Sequence, residues 1–186
     1  MDIAELKAEL ETLHSASFGW ALNCCRRDRA EAEEVLQTVY LKILEGKACF
    51  RGEASLKTWL FAVIRKTAIG EHRKNLLRKL RWSDSSAPAT TLVSPLDQPG
   101  VTFEKFETQA LFQSALKRLP RRQREALHLV FYQDLSLSEA AEVMGISIGS
   151  ARQHYDRGKR RLRASLRQTE SAYGIGWRGK ENPGAV

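Results

Sequence analysis

Residues 136–166, SLSEAAEVMGISIGSARQHYDRGKRRLRASL, constrain the fold more than any other stretch, because their pattern demands two helices meeting at a sharp glycine turn. Ser136 and Glu139 stand at the S-x-x-E spacing of a capping box, in which the serine hydroxyl and the glutamate carboxylate each satisfy the other's backbone amide. Leu137, Ala140, Ala141 and Met144 then fall on one stripe, and the two alanines allow another helix to cross closely. Gly145 offers the positive φ that a helix end followed by a reversal requires. Ser147 is the expected N-cap of the second helix, with Ile148, Ala151, Tyr155, Leu162 and Leu166 facing inward. Gly149, Ser150, Arg152, Gln153, Asp156 and Arg157 are left facing outward.

That outward face has the chemistry to read duplex DNA. A helix fits the major groove, where Arg and Gln reach guanine and adenine edges, which makes Arg152 and Gln153 the candidate base readers. Arg157, Lys159, Arg160, Arg161 and Arg163 follow, at positions suited to salt-dependent phosphate contacts that fix register. A basic run by itself also fits an ordinary solvated helix face. The capping box, the glycine turn and the polar face together favour the DNA reading.

The 186 residues carry a net charge of +8, which favours a polyanionic partner. Its distribution is uneven: residues 1–45 hold five basic and nine acidic side chains, 56–81 hold eight and one, and 145–167 hold seven and one. Two basic patches therefore follow an acidic start. Cys24, Cys25 and Cys49 are odd in number and lack C-x-x-C spacing, which suggests neither a disulfide framework nor a zinc site and fits a reducing cytosol. No apolar run approaches a membrane span, and the acidic, amphipathic N-terminus is unlike a signal peptide, so a cytoplasmic protein is expected. There is no Ser/His/Asp grouping, phosphate loop or paired-carboxylate metal pattern, which argues against an enzyme and against a metal or other cofactor or a small-molecule substrate.

Along the chain the periodicity is helical throughout. Ile3, Leu6, Leu10, Leu13, Ala16 and Phe18 suggest one or two short helices; Ala32, Val35, Leu36, Val39, Tyr40 and Ile43 form an unbroken stripe ending near Gly46. On the opposite side lie Glu33, Glu34, Gln37, Thr38, Leu41 and Lys42, with Leu41 an apolar residue where water is expected. After the loop CFRGEAS (49–55), the residues Leu56, Leu60, Val63, Ile64, Thr67 and Ala68 resume a stripe on a helix that also carries Lys57, Trp59, Phe61, Arg65, Lys66, Arg73 and Lys74. Aromatics among cations suit single-stranded nucleic acid, which needs π-faces for unstacked bases and charge for the backbone; Trp59 and Phe61 could equally be core. The Ser/Thr/Pro-rich stretch 83–100 reads as a linker. Pro120 is expected to open a helix reaching about Tyr132, with Ala126, Leu127, Val130 and Phe131 facing neighbours. The expected fold is all-α: two small helical bundles joined by a flexible linker, the C-terminal one containing the helix-turn-helix. The expected boundaries are 1–82, a linker over 83–102, a second domain over 103–170, and a disordered tail over 171–186.

These segments, in this order, resemble the extracytoplasmic-function (ECF) group of bacterial RNA polymerase sigma factors. AEEVLQTVYLKIL is similar to the family's helix that docks on the β′ clamp helices, and FRGEASLKTWLFAVIRKTA to the segment that melts and reads the minus-10 element. LPRRQREALHLVFYQDLSLSEAAEVMGISIGSARQHYDRGKRRLRASL is similar to the module that reads the minus-35 element.

The resemblance implies that Glu34, Gln37, Thr38, Leu41 and Lys42 face the polymerase. It implies that Arg51, Gly52, Glu53, Ala54 and Ser55 form the loop that captures a flipped base, with Trp59, Phe61, Arg65, Lys66 and Arg73 near the melted strand. Ser150, Arg152, Gln153, His154, Asp156, Arg157 and Arg160 would form the minus-35 face. Thr38, Lys66 and Gly70 replace residues frequent in the family, and Asp156 could either repel phosphate or accept from a cytosine amine. The implied partners are core RNA polymerase, through its β′ clamp helices and β flap, promoter DNA, and an anti-sigma factor, which in this group is often membrane-bound. The competing reading is a free-standing helix-turn-helix regulator that uses residues 1–82 to dimerise.

Overall fold

A computed structural model describes residues 3–81 and 112–173; the expected linker over 83–102, the adjoining residues up to 111 and residues 174–186 lie outside them. The described residues are helical, with no strand among them. Four helices form the N-terminal module: α1 (Ile3–Thr12), α2 (His14–Cys24), α3 (Arg29–Leu44) and α4 (Leu56–Arg81). A helical segment over 112–117 precedes α5 (Arg121–Phe131), α6 (Leu137–Met144) and α7 (Ile148–Tyr173).

Local chemistry sets the helix ends. Asp28 caps α3, its Oδ1 accepting from the Glu31 amide at 3.0 Å, and Ser55 caps α4 by accepting from the Thr58 amide at 3.1 Å. The capping box of α6 forms as its spacing predicts: Ser136 Oγ accepts from the Glu139 amide at 3.2 Å and Glu139 Oε2 from the Ser136 amide at 2.9 Å. Gly145 ends that helix at φ 61°, in the left-handed region, and Ser147 Oγ then accepts from the Ser150 amide at 3.2 Å to start α7.

In the N-terminal module α2, α3 and α4 pack mutually around Trp20, Ala21, Val35, Val39, Leu60 and Ile64, none of which is exposed. The C-terminal module has its own small core of Leu116, Leu119 and Leu127, closed by Phe112, Tyr155 and Leu162. The two bundles are not held apart. α4 lies along α6 and α2 against α5, and one continuous apolar core runs from Leu10 to Met144 through both.

Two side chains expected to face inward do not. Ile148 is 50% exposed, because as the first residue of α7 it has no preceding turn to lie against, and Phe131, the last residue of α5, is 54% exposed although one ring face stacks on Tyr155 at 5.6 Å. The position that matters instead is Gly158, which stands between Arg157 and Lys159. It is buried where α7 crosses α5, and a Cβ there would stand 3.1 Å from Leu127 Cδ1 and 3.2 Å from the Gln123 carbonyl. Gly158→Val is therefore expected to destabilise the chain by about 1 to 3 kcal/mol through overpacking, read as a lower urea midpoint at unchanged m-value.

Candidate nucleic-acid interface

The first turns of α7 present Arg152, Gln153, Asp156, Arg157 and Arg160 to solvent, with Ser150 and His154 partly buried at their margin. Ala151, fully buried, anchors this helix on the module, so the exposed side chains stand on a fixed surface. Ser150 Oγ accepts from the Ser147 hydroxyl at 2.9 Å, which ties it to the cap. Lys159 lies over the Tyr155 ring at 5.8 Å, a cation–π contact that draws it along the helix, while Arg161 and Arg163 remain exposed. A rigid helix with two long planar or amide side chains near its start, followed by cations, can enter a major groove and grip the flanking phosphates.

The N-terminal module offers two more surfaces. On α3, Glu33, Glu34 and Gln37 are exposed, Thr38 is partly buried, and Leu41 and Leu44 are 57% and 55% exposed. Lys42, expected on this outward face, turns back instead, its Nζ donating to Thr67 Oγ1 on α4 at 3.2 Å. The loop before α4 exposes Arg51, Gly52 and Glu53, with Ala54 partly buried; Gly52 sits at φ 76°, a conformation glycine supplies without strain. Ser55 is exposed but its hydroxyl serves α4, accepting from the Thr58 amide and donating to Thr58 Oγ1 at 2.8 Å. Trp59 is partly buried at the rim of this loop, 5.4 Å from the Phe50 ring, and Lys66 and Arg73 are exposed further along α4.

Residues 10–78 match the Sigma-70 region 2 family and residues 115–164 match Sigma-70 region 4. The chain is 30% identical over 135 residues to the ECF RNA polymerase sigma factor EcfG of Rhodopseudomonas palustris (strain TIE-1), covering 73% of this chain and 71% of that protein. It belongs to the ECF sigma factors. A second relative, the RNA polymerase sigma factor YlaC of Bacillus subtilis (strain 168), is 26% identical over 135 residues, 73% of this chain and 77% of that one. Among solved structures, the sigma factor RpoE of Bartonella quintana, crystallised with the anti-sigma factor NepR, superposes with a TM-score of 0.71 at 26% identity over 89% of this chain and 98% of that one. CnrH, solved with the cytosolic domain of CnrY, shares the fold at a TM-score of 0.56 and 18% identity, covering 87% of each chain.

In this sigma factor the modules meet on the face of α4 expected to line the melted strand. Phe61 is fully buried, and its carbonyl accepts from Trp20 Nε1 at 2.9 Å; it is a core residue here, not a base-stacking platform. Arg65 is 9% exposed and its Nε donates to Glu125 Oε2 at 3.2 Å, across the module boundary. Arg121 donates to the other oxygen of the same carboxylate at 2.8 Å, so a wholly buried glutamate sits between two guanidiniums. Lys57 Nζ donates to the Gln133 carbonyl, Thr58 Oγ1 to Glu139 Oε1 at 3.4 Å, and Gln133 Nε2 to the Ala16 carbonyl at 3.4 Å. Glu139 is held below the usual carboxylate range chiefly by the Ser136 amide and hydroxyl, with Thr58 and Lys57 adding to the effect.

Sequence reading passed over three members of this seam. Trp20 stacks on Phe61 with ring centroids 6.0 Å apart and on His128 at 5.4 Å, joining α2, α4 and α5. His128 also stacks on Tyr132 and shares a 3.3 Å contact with Gln133; burial, with the Arg27 charge nearby, lowers its pKa to about 4. Glu125 offered one signal, a lone acid in the basic run RRQRE opening α5.

Proposed function

We propose that this chain binds core RNA polymerase and directs it to promoters, reading the minus-35 element with α7 and trapping the opened minus-10 strand with the 51–55 loop and α4, and that an anti-sigma factor controls it. The observation that carries this reading is the pairing of regions 2 and 4 in order on one chain, with Arg152 and Gln153 exposed on a capped, anchored recognition helix. The exposed Leu41 and Leu44 beside Glu34 and Gln37 are suited to a protein partner, which the polymerase clamp helices supply. Anti-sigma control follows from the relatives solved as complexes with NepR and with CnrY. In this reading catalysis belongs to the polymerase. No helix of the described residues is long and apolar enough to cross a membrane, and we place the protein in the cytoplasm, where any membrane tie would come through the anti-sigma partner. The domain boundaries we assign are 1–82 and 103–170, joined by the stretch 83–102.

Transcription in vitro from the DNA upstream of the protein's own reading frame tests the proposal. Specific initiation that needs both this protein and core polymerase is the expected result; tight, palindromic binding by the protein alone would favour the free-standing regulator instead. Arg152→Ala is expected to weaken minus-35 binding by about 1 to 3 kcal/mol and leave polymerase binding intact. Glu34→Lys should do the opposite. Equal loss of both activities in either variant would mean that the two surfaces are wrongly assigned.

A further inference from the structure

The seam between the modules has an electrostatic logic of its own. Along one side of α4, Lys57, Thr58 and Arg65 are the groups that could hydrogen-bond a nucleic-acid backbone, and every one of them is occupied by an oxygen from region 4: the Gln133 carbonyl, Glu139 Oε1 and Glu125 Oε2. Phe61, by contrast, is sealed from within region 2 itself, beneath Trp20, so what region 4 meets on this side of α4 is its polar groups. The outer cations of the same helix, Lys66 and Arg73, stay exposed, so the covering is confined to the seam side.

We propose that region 4 occupies the strand-binding side of region 2 as an intramolecular mimic of a nucleic-acid backbone, with Glu125 as the group that holds it there. The inference rests on the sigma-factor reading and adds regulation internal to the chain: region 4 and melted single-stranded DNA compete for α4. Glu125 is the decisive contact because it is fully buried and bound by Arg65 and Arg121 together. Arg121 is partly solvated and can turn outward, whereas Arg65 is not; neutralising Glu125 leaves a buried guanidinium without a counter-ion, which favours opening. Opening presents Arg65 and Lys57 to a strand. The apparent affinity of the closed protein for single strands is lowered by the fraction of molecules that are open.

The test uses the full chain and a fluorescein-labelled single-stranded 20-mer, read by anisotropy, for the wild type and Glu125→Gln. The variant keeps the shape of the side chain and is expected to bind the strand at least about fivefold more tightly, as the open fraction rises. Module separation is read independently by energy transfer between dyes on the exposed Cys49 and on a cysteine introduced at the exposed Ser138. Transfer is expected to fall in Glu125→Gln and to recover in the charge-swapped double variant Arg65→Glu/Glu125→Arg. Unchanged transfer in Glu125→Gln would overturn the role of Glu125, and reduced transfer with unchanged strand affinity would overturn the competition. If Glu125→Gln loses its helical circular dichroism, the wild type decides: adding excess single strand should lower its energy transfer, and no change sinks the proposal. Polymerase-dependent initiation by the wild type separates the two levels, since a chain that initiates but fails these tests loses only the competition, and one that never initiates loses the sigma-factor reading.

Discussion

Trp20→Ala is expected to lower the unfolding free energy of the full chain by about 3 to 5 kcal/mol, the range for truncating a large buried aromatic. The ring has no solvent exposure and contacts Phe61 and His128, and its N–H is bonded to the Phe61 carbonyl at 2.9 Å. Removing it opens a cavity bordered by α2, α4 and α5, helices that are each fixed by other contacts and cannot collapse freely into the gap. Urea unfolding followed by circular dichroism measures the loss. Trp20→Phe fills most of the space and should recover more than half of it. A loss below about 1 kcal/mol in Trp20→Ala would show that the seam is not packed as described.

The second large effect is a dependence on pH centred on His128. Its pKa is about 4 in the folded chain and about 6.5 when exposed, so between these values the unfolded protein takes up a proton that the folded protein does not. Stability from this group is therefore complete above about pH 6.5, falls as the pH drops toward 4, and changes by at most about 3 kcal/mol across that window. The groups facing the ring are the Trp20 indole, the Tyr132 ring, the Gln133 amide and the Arg27 guanidinium, and the last repels a protonated imidazole. Unfolding free energy at pH 7.5 should exceed that at pH 5 by about 2 kcal/mol more in the wild type than in His128→Phe, which keeps an aromatic ring but cannot be protonated. Equal pH dependence in the two proteins would remove His128 as the cause.

Local signals carried most of the fold. The Ser136–Glu139 pair, Gly145 and Ser147 are chemical statements about helix ends that hold wherever the helices pack, and the stripe from Ala32 to Ile43 is wide enough to fix which side of α3 is buried. α4 was harder because it is covered on two sides, by α2 and α3 and again by α6. Its second contact surface contains Lys57, Thr58 and Arg65, residues that a hydrophobic period assigns to solvent, so a buried polar seam looks the same in sequence as an exposed cationic face. Phe61 and Trp59 show the limit well: two aromatics two residues apart point to different sides of one helix, and only the packing of Trp20 decides which is sealed. Lys42 turned inward for a similar reason, since a long side chain can reach a buried hydroxyl such as Thr67 from the edge of a polar face. The placement of Gly158 depends on a helix crossing that no local pattern encodes.

The single apolar core that spans the two modules bears on how the molecule can be dissected. Ala126, Leu129, Ala140 and Val143 on one side, and Leu60, Phe61 and Ile64 on the other, belong to the same buried cluster. Cutting the chain between residues 82 and 111 would give two fragments, each with a newly wetted oily face and a tendency to self-associate. Co-production of both halves, allowing them to find each other before purification, is the route that keeps such fragments soluble.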